Sequence, residues 1–335
     1  MDPLNVLSFA RELVDIDSTS GQEQAAGVWL ARRLRDIGYT VSEQPVANGR
    51  FNILAALDRP VVVFSTHFDC VPPFFASSVR NGRLYGRGSC DAKGILAAQV
   101  AAAERLRASG ERRIAMLFVV GEERGSDGAK IANGLPQGTK FLINGEPTDN
   151  RLASATRGVL RLRLQASGRT AHSAMPELGE SAIDKLLDAL AAMRAIELPT
   201  DPLLGQTYYT VVLIEGGIAP NVVPPSASAE LNFRTSRPAD EVLRAVQPVA
   251  RFVRIEEVLR VADVRFRTFD HLGIETAVFP FTTDVAFLDK WGAPLLFGPG
   301  SIRVAHTAEE HVEISEMESA IDQYVRIAGE CLKQL

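Results

Sequence analysis

The feature that most constrains the fold is a set of short, nearly uninterrupted apolar segments. Three of them, Val61–Thr66, Arg113–Val120 and Lys140–Asn144, are far too short to span a membrane. A strand made almost entirely of apolar residues is typical of a sheet covered on both faces. Segments with helical character stand between them, such as the Ala-rich Ala92–Ala108. We therefore predict an α/β fold: a mixed, mostly parallel sheet with helices on both faces.

Composition narrows the class of protein. The chain has 335 residues, of which 46% are hydrophobic and 23% charged, so it can form one large domain or two ordinary ones. Its net charge of −5, with no block of Lys or Arg, argues against a nucleic-acid partner. The N-terminal stretch lacks the apolar core of a signal peptide. Three cysteines form no disulfide framework, and we expect a reducing cytoplasm.

Two capping patterns predict helix starts. Leu4, Leu7, Arg11 and Val14 fall at helical spacing, so the chain is expected to open with a helix. The stretch Ser20–Glu23 has the form of a capping box, which predicts a helix running to about Ile37. A second such box, Ser315–Glu318, is expected to start a C-terminal helix.

After residue 157 the pattern changes from buried to half-exposed strands. Val159–Ala166 alternates apolar with polar residues. The order strand, helix, two strands, helix, strand predicts a small ferredoxin-like α+β domain. Its other elements are a helix over 180–194, strands at Tyr208–Glu215 and Ala227–Thr235, a helix after Pro238 and a strand near Val264–Phe269. We predict a catalytic domain of residues 1–157 and 273–335, with residues 158–272 inserted into it.

Imidazoles and carboxylates follow the predicted buried strands or lie in nearby loops. In an open α/β sheet, ligands bind at the carboxyl ends of the strands. Five carboxylates cannot share a buried site without cations. A mixed His and carboxylate set suits zinc, and next cobalt or manganese, and two ions about 3.5–4 Å apart would account for the number of ligands. The residues concerned are His67, Asp69, Asp91, Glu122, Glu123, Glu146 and His306.

Each of these signals is weak by itself. A His-x-Asp pair is commonly incidental, and two adjacent glutamates at a strand end usually form a solvated turn. Asp91 could cap the helix that follows it, worth about 1 kcal/mol. Only the whole set, in this order, favours a metal centre.

Six motifs carry a resemblance to a known family. They are HFDCVPP, GRGSCDAKG, GEERGSDG, NGEPT, GRTAHSAMPELGESAI and HTAEEHVEI. Together they resemble the two-zinc metallohydrolases that include aminoacylases, acetylornithine deacetylases, succinyl-diaminopimelate desuccinylases and carboxypeptidases. The resemblance spans nearly the whole chain. Only 23 residues separate His67 from Asp91. This short interval is more like the acetylornithine- and lysine-biosynthesis deacylase branch, whereas FPFTTDVAF lacks the glycine common in succinyl-diaminopimelate enzymes.

The resemblance implies a role for each residue of the set. Asp91 would bridge two metal ions. His67 and Glu146 would complete one site, and Glu123 and His306 the other. Glu122 would be the general base, and Asp69 would fix the tautomer of His67.

It also implies roles for residues outside this set. His172 would stabilise the oxyanion in the active site of a partner subunit, which implies a homodimer formed through the inserted domain. Asn221 and Arg234 would hold the substrate's α-carboxylate. The alternative for both His172 and Arg234 is an ordinary surface residue, in a loop and at a strand end respectively. Gly300 and Ser301 lie in a segment, Leu295–Ile302, that resembles a substrate-pocket loop; a tight turn is the alternative.

The sequence thus favours a homodimeric, two-zinc enzyme that removes an acyl group, expected to be acetyl, from a small-molecule N-acyl amino acid. Candidate substrates are acetylornithine, acetylcitrulline or an acyl-lysine. The alternative within the family is a dipeptidase or carboxypeptidase. An alternative of another class is a catalytically silent, ligand-binding homologue.

Overall fold

A computed structural model describes residues 5–335; Leu4 of the predicted opening helix lies outside them. The helices are α1 (Val6–Val14), α2 (Gln24–Asp36), α3 (Lys93–Ala108), α4 (Asp127–Asn133), α5 (Ala182–Arg194), α6 (Ala239–Val246) and α7 (Ile314–Lys333). The strands are β1 (Thr40–Pro45), β2 (Phe51–Ala56), β3 (Val62–His67), β4 (Ser78–Arg80), β5 (Arg83–Tyr85), β6 (Ile114–Val119), β7 (Phe141–Asn144), β8 (Leu152–Thr156), β9 (Gly158–Ser167), β10 (Thr200–Asp201), β11 (Gly205–Gln206), β12 (Tyr208–Gly216), β13 (Ser226–Thr235), β14 (Arg254–Val261), β15 (Val264–Arg265), β16 (Thr276–Phe279), β17 (Ala293–Leu296) and β18 (His311–Glu313).

The chain forms two units. The first runs to Ser154 and includes Arg265–Ala277 and Thr283–Leu335; the second consists of Ala155–Val264 and Val278–Thr282. The predicted inserted domain, residues 158–272, stays a proposal, because its return boundary lies eight residues later than that of the second unit.

The main sheet of the first unit has six strands in the order β1-β2-β6-β3-β7-β17. The first two pairs are antiparallel, and the other three are parallel. The prediction of a mixed, mostly parallel sheet is therefore confirmed. Because β6, β3, β7 and β17 run in the same direction, their carboxyl ends lie along one edge of the sheet.

Both faces of this sheet are covered. Phe64, Met116 and Ile143 belong to one large core together with residues from α1, α2, α3 and α7. Val63 and Leu117 alternate with them along the strands and are also fully buried. Strand side chains point alternately to opposite faces, so a second layer covers the other face. Helix α4 contacts β2 and β6 and contributes buried alanines that lie outside the large core.

In the second unit, β9, α5, β12, β13, α6 and β14 follow one another in the predicted order of strands and helices. Its antiparallel sheet has the order β12-β13-β9-β14. The strand predicted near Val264–Phe269 is present only as the short β15, which belongs to a different sheet. The strand that completes the sheet is Arg254–Val261, an edge strand whose charged residues Glu256, Glu257 and Arg260 hide the apolar alternation of a buried strand.

The capping boxes were also wrong. Glu23, not Ser20, stands at the N-cap of α2, and its side chain accepts a hydrogen bond from Gly21 N–H at 2.8 Å. The hydroxyl of Ser20 donates instead to Asp69 Oδ2 at 2.7 Å. At the other helix, Glu313 is the N-cap, so Ser315 already lies inside α7. Within residues 5–335, no helix has the length and hydropathy needed to span a membrane.

Candidate metal centre

His67 is the final residue of β3 and is 1% exposed. Its Nδ1 lies 3.0 Å from the backbone oxygen of Asp69, and its Nε2 lies 3.0 Å from Asp91 Oδ1. A proton on Nδ1 can be donated to the carbonyl, which leaves the Nε2 lone pair free to bind a metal. Burial lowers the pKa of His67, but hydrogen bonds to Asp69 and Asp91 outweigh burial and raise the pKa well above its usual value. The negative surroundings that favour an imidazolium equally favour a metal cation.

Asp91 lies between two histidines. One carboxylate oxygen is 3.0 Å from His67 Nε2, and the other is 3.4 Å from His306 Nε2. Burial alone would raise the pKa of Asp91. The hydrogen bonds to His306 and His67 lower the pKa by more than burial raises it, so the net shift is downward and the carboxylate is ionised. A carboxylate with each oxygen facing a different histidine has the arrangement of a bridging ligand.

Two triads of ligand atoms share this aspartate. His67, Asp91 and Glu146 form one, and Asp91, Glu123 and His306 form the other; within each triad the ligand atoms lie within 4.8 Å of one another. His306 Nε2 is 2.9 Å from Glu123 Oε1, and hydrogen bonds to Asp91 and Glu123 raise the pKa of His306 to about 10. The structure thus brings all five predicted ligands together at the carboxyl edge of the parallel strands.

Glu146 shows that the residues fit a metal. It follows β7 and is 5% exposed, and its Oε1 has no hydrogen-bond partner among the described residues. Burial, and next the charge of Asp91, raises the pKa of Glu146 well above its usual value. A buried carboxylate oxygen without a partner is costly. A divalent cation held with His67 and Asp91 removes that cost, because carboxylate and imidazole are ordinary zinc ligands.

The backbone fixes where Glu146 lies. Gly145 N–H donates to Ser65 O at 2.7 Å, and the Thr66 hydroxyl donates to Gly145 O at 2.8 Å. A side chain at position 145 would collide with Ile95 and the Gln99 amide. The residue before the acid must therefore be a glycine if this loop is to lie against β3.

Asp69 positions the two adjacent glutamates. Its Oδ1 accepts the backbone N–H of Glu122 at 3.1 Å, and its Oδ2 accepts that of Glu123 at 3.3 Å. Its carboxylate is 3.4 Å from His67 Nδ1, farther than its backbone oxygen. Asp69 therefore contacts His67 mainly through the backbone, while its side chain holds the loop after β6.

Glu122 belongs to neither triad. The residue keeps some exposed surface, but its carboxyl group is surrounded by protein atoms, and this burial raises its pKa well above the usual value. The positive charge of His67 acts in the opposite direction, and the negative charge of Asp284 adds to the rise. Glu122 therefore offers a carboxyl group that can exchange a proton without serving as a metal ligand.

Residues 63–330 match the model of "Peptidase family M20/M25/M40". The chain belongs to this family.

Its relatives cover almost the whole chain. A probable carboxypeptidase of Aspergillus clavatus is 34% identical over 98% of this chain and 83% of its own length. A peptidase M20 domain-containing protein of Schizosaccharomyces pombe is 34% identical over 96% of this chain and 84% of its own. The name of the Aspergillus relative corresponds to the carboxypeptidase alternative, whereas the deacylase branch remains a prediction.

Solved structures share the fold. A tripeptidase from Staphylococcus aureus has a TM-score of 0.84 at 20% identity, over 99% of both chains. A dinuclear metal-binding M20 peptidase from Bacillus subtilis has a TM-score of 0.74 at 15% identity, over 98% of both chains.

Membership of the M20 family makes the chain a metal-dependent hydrolase of amide bonds. Two divalent metal ions, zinc being typical, are its cofactor, and the two triads are the residues that would hold them.

Two buried acids near the M20 metal centre were missed by sequence reasoning. Asp284 is 1% exposed, and burial raises its pKa to about 7. Glu310 is fully buried and accepts the backbone N–H of Asp91 at 3.1 Å. Neither follows a strand closely in the sequence. The only signal for Glu310 was its place in the HTAEEHVEI motif.

The predicted pocket loop lies beside the metal-ligand loops. Gly300 has a φ of 85°, and its N–H donates to Glu316 at 3.2 Å. The backbone oxygen of Ser301 accepts the Cys90 thiol at 3.4 Å, next to Asp91. Both residues therefore serve the shape of this loop, and their contact with substrate stays a prediction.

The three candidates of the second unit do not lie at one place. His172 is exposed and bridges Val222, and Ser173 N–H donates to Asn221 O at 3.0 Å, so His172 and Asn221 lie on neighbouring loops. Arg234 is near the far end of β13. At about 3.3 Å per residue, roughly 26 Å separates it from Ser226 at the start of that strand. Arg234 therefore lies at the opposite end of β13 from the loop that carries Asn221.

Proposed function

We propose that this M20 protein is a metallo-exopeptidase of the carboxypeptidase type, which hydrolyses the amide bond next to a free α-carboxylate in short peptides. The observation that carries the proposal is the position of Glu122. It is held by Asp69 beside a metal-ligand glutamate and yet lies outside both triads. The names of the Aspergillus relatives support the carboxypeptidase type.

The side chains divide the work. Bound metal ions would supply a polarised carbonyl and a water of lowered pKa. Glu122 takes a proton from the attacking water at its carboxylate and passes it to the amine nitrogen as the C–N bond breaks, and a raised pKa favours this delivery. Asp69 keeps Glu122 and Glu123 in their places by accepting both backbone N–H groups, so that one glutamate remains free while its neighbour serves as a ligand.

A second candidate is the removal of an acetyl group from acetylornithine, acetylcitrulline or an acyl-lysine. The short connection from His67 to Asp91 favours it, since that interval contains only the brief hairpin β4–β5 before the Asp91 loop. The bond broken is again a linear amide, and the roles of the side chains are unchanged. Arginine or lysine biosynthesis would then be the setting.

A substrate screen separates these candidates. Purified protein loaded with zinc or cobalt is incubated with N-blocked dipeptides, free dipeptides and N-acetyl amino acids, and released amine is measured. Cleavage of N-blocked dipeptides supports the carboxypeptidase, free dipeptides alone indicate a dipeptidase, and N-acetyl amino acids alone indicate the deacylase. No release from any class would contradict the proposal. Ligand binding that is unchanged by Glu122→Gln, without turnover, would then identify a silent homologue.

We also propose a homodimer formed through the second unit. Strand β12 is a sheet edge and is exposed along almost its whole length, with Val212, Leu213 and Ile214 each more than 40% exposed. A long apolar edge of this kind is a pairing surface. A dimer would also allow Asn221 of one chain and Arg234 of its partner to meet one carboxylate, with His172 acting in the partner's site.

The dimer is tested by mass in solution. Ile214→Lys should give monomers in sedimentation velocity, whereas Val28→Lys, at an exposed apolar residue of α2, should leave the mass unchanged. A wild-type monomer at micromolar concentration would refute the dimer. We propose the cytoplasm as the compartment, and the three free, buried cysteines support it.

A further inference from the structure

Glu310 is a fully buried carboxylate outside both metal triads. It immediately precedes β18, which pairs with β5, and β5 leads into the loop that carries Asp91. This pairing places Glu310 beside Asp91, which lies 219 positions earlier in the chain.

The contacts of Glu310 are concentrated on the Asp91 loop. Its Oε1 accepts three backbone N–H groups, from Gly88 at 3.0 Å, Cys90 at 3.2 Å and Asp91 at 3.1 Å. Its Oε2 accepts Arg87 Nη1 at 2.5 Å, and Arg87 is itself 2% exposed. One carboxylate thus accepts the backbone N–H groups of three of the four residues from Gly88 to Asp91, a pattern that a helix cap or a surface ion pair does not require.

The same residue limits the movement of His306. Glu310 lies four residues after His306, whose φ of 64° places it in a turn rather than in a regular element. The carboxylate therefore fastens the end of the His306 loop to the backbone of Asp91. Asp91 precedes the second unit in the sequence and His306 follows it. The Glu310 side chain links the segments that carry these two residues.

We propose that Glu310 is a positioning residue for the shared metal ligand: it holds the Asp91 backbone so that the two carboxylate oxygens face His67 and His306. The inference rests on the proposed role of Asp91 as the bridging ligand. Because Asp91 belongs to both triads, a displaced Asp91 weakens both metal sites. Loss of Glu146, by contrast, removes a ligand from one site only.

The test is zinc affinity, measured by competition with a chelating dye and without substrate. Glu310→Ala should weaken binding at both sites by about 10- to 100-fold, the usual effect of removing a group that supports a ligand. Glu310→Gln keeps an acceptor oxygen for the three N–H groups and should recover part of this loss. The matched control is Glu309→Gln, because the side chain of Glu309 is 75% exposed and pairs with Arg80 on the surface.

A purely structural role makes a different prediction. If Glu310 only neutralises the buried Arg87, the double variant Arg87→Met/Glu310→Ala should regain wild-type zinc affinity. If Glu310 positions Asp91, the double variant should regain thermal stability but should still bind zinc more weakly than wild type. The visible absorption of the cobalt-loaded protein should also change in Glu310→Ala and in the double variant, and stay unchanged in Glu309→Gln.

Two results would overturn the inference: wild-type affinity at both sites in Glu310→Ala and Glu310→Gln, or loss at only one site. Asp91→Ala separates this from a failure of the underlying assignment. If Asp91→Ala itself keeps both metals, Asp91 is not the shared ligand and the proposed function fails with it. If Asp91→Ala loses both and the Glu310 variants lose neither, only the positioning role fails.

Discussion

Replacing Glu146 with methionine should act in opposite directions on the metal-free and the metal-loaded protein. In the metal-free protein Glu146 is a buried carboxyl with an oxygen that lacks a partner, and its pKa is raised by burial. An unsatisfied buried polar group costs about 1–3 kcal/mol, and methionine fills a similar volume without it. We therefore expect Glu146→Met to be more stable than wild type by about that amount in EDTA, a gain of a few degrees in Tm.

With zinc added, wild type should be more stable than Glu146→Met. Wild type gains stability from the bound metal, by about 2.7 kcal/mol for zinc at a hundred times its Kd. Glu146→Met lacks one ligand of one triad and should gain less. Calorimetry in EDTA and in zinc measures both effects, and metal analysis should show one ion lost rather than two.

The difference in stability between Glu146→Met and wild type in EDTA should depend on pH, and the direction of the pKa shift of Glu146 gives its sign. A carboxyl group whose pKa is raised in the folded state binds more protons there than in the unfolded state. Folding stability then falls as pH rises from the unfolded pKa of about 4.5 towards the folded value. The advantage of Glu146→Met should be smallest below pH 4, where the carboxyl is neutral in both states, and grow above it. A variant less stable than wild type in EDTA at pH 7, or one that retains both ions, would refute the reasoning.

Three further outcomes are expected. Glu122→Gln should lower kcat by about 10²- to 10⁴-fold while both metals remain, as measured by turnover and metal analysis; loss of metal would instead make Glu122 a ligand. Asp69→Asn should reduce both kcat and zinc affinity, because an amide cannot accept both backbone N–H groups at its two ends. Ser20→Ala removes one donor to Asp69 and should have a smaller effect in the same assays. Chelation should lower Tm in wild type by more than in Asp91→Ala, and equal Tm losses in calorimetry would argue against Asp91 as a ligand.

The sequence contained enough to predict the main sheet and the set of ligands. Val61–Thr66 is mostly apolar because β3 is covered on both faces, and this composition is visible without a structure. Since parallel strands end at the same edge of the sheet, the residues that directly follow them lie close together there, and the conformation of the connecting segments need not be known. His67 and Glu123 could therefore be placed together although 55 residues lie between them in the sequence.

What could not be predicted depends on contacts that leave no periodic pattern. Ser20 has the sequence of a helix cap, but its hydroxyl bonds to Asp69, and only the folded chain brings the two together. Strand β14 carries charges because it is a sheet edge, so its composition resembles that of a loop. Asp284 and Glu310 lie in irregular segments, where neither strand ends nor helical spacing indicate that a carboxyl group will be buried.

The distribution of the two triads along the chain has a consequence for biosynthesis. His67, Asp91 and Glu146 are all synthesised before the second unit begins, whereas His306 and Glu310 emerge from the ribosome after it. Until then β7 lacks its neighbour β17, and the aspartate shared by both triads lacks its fastening. All three residues of the first triad are therefore present on the nascent chain before the last residue of the second triad is synthesised. The direction of translation sets the order in which the two sets of ligands are completed.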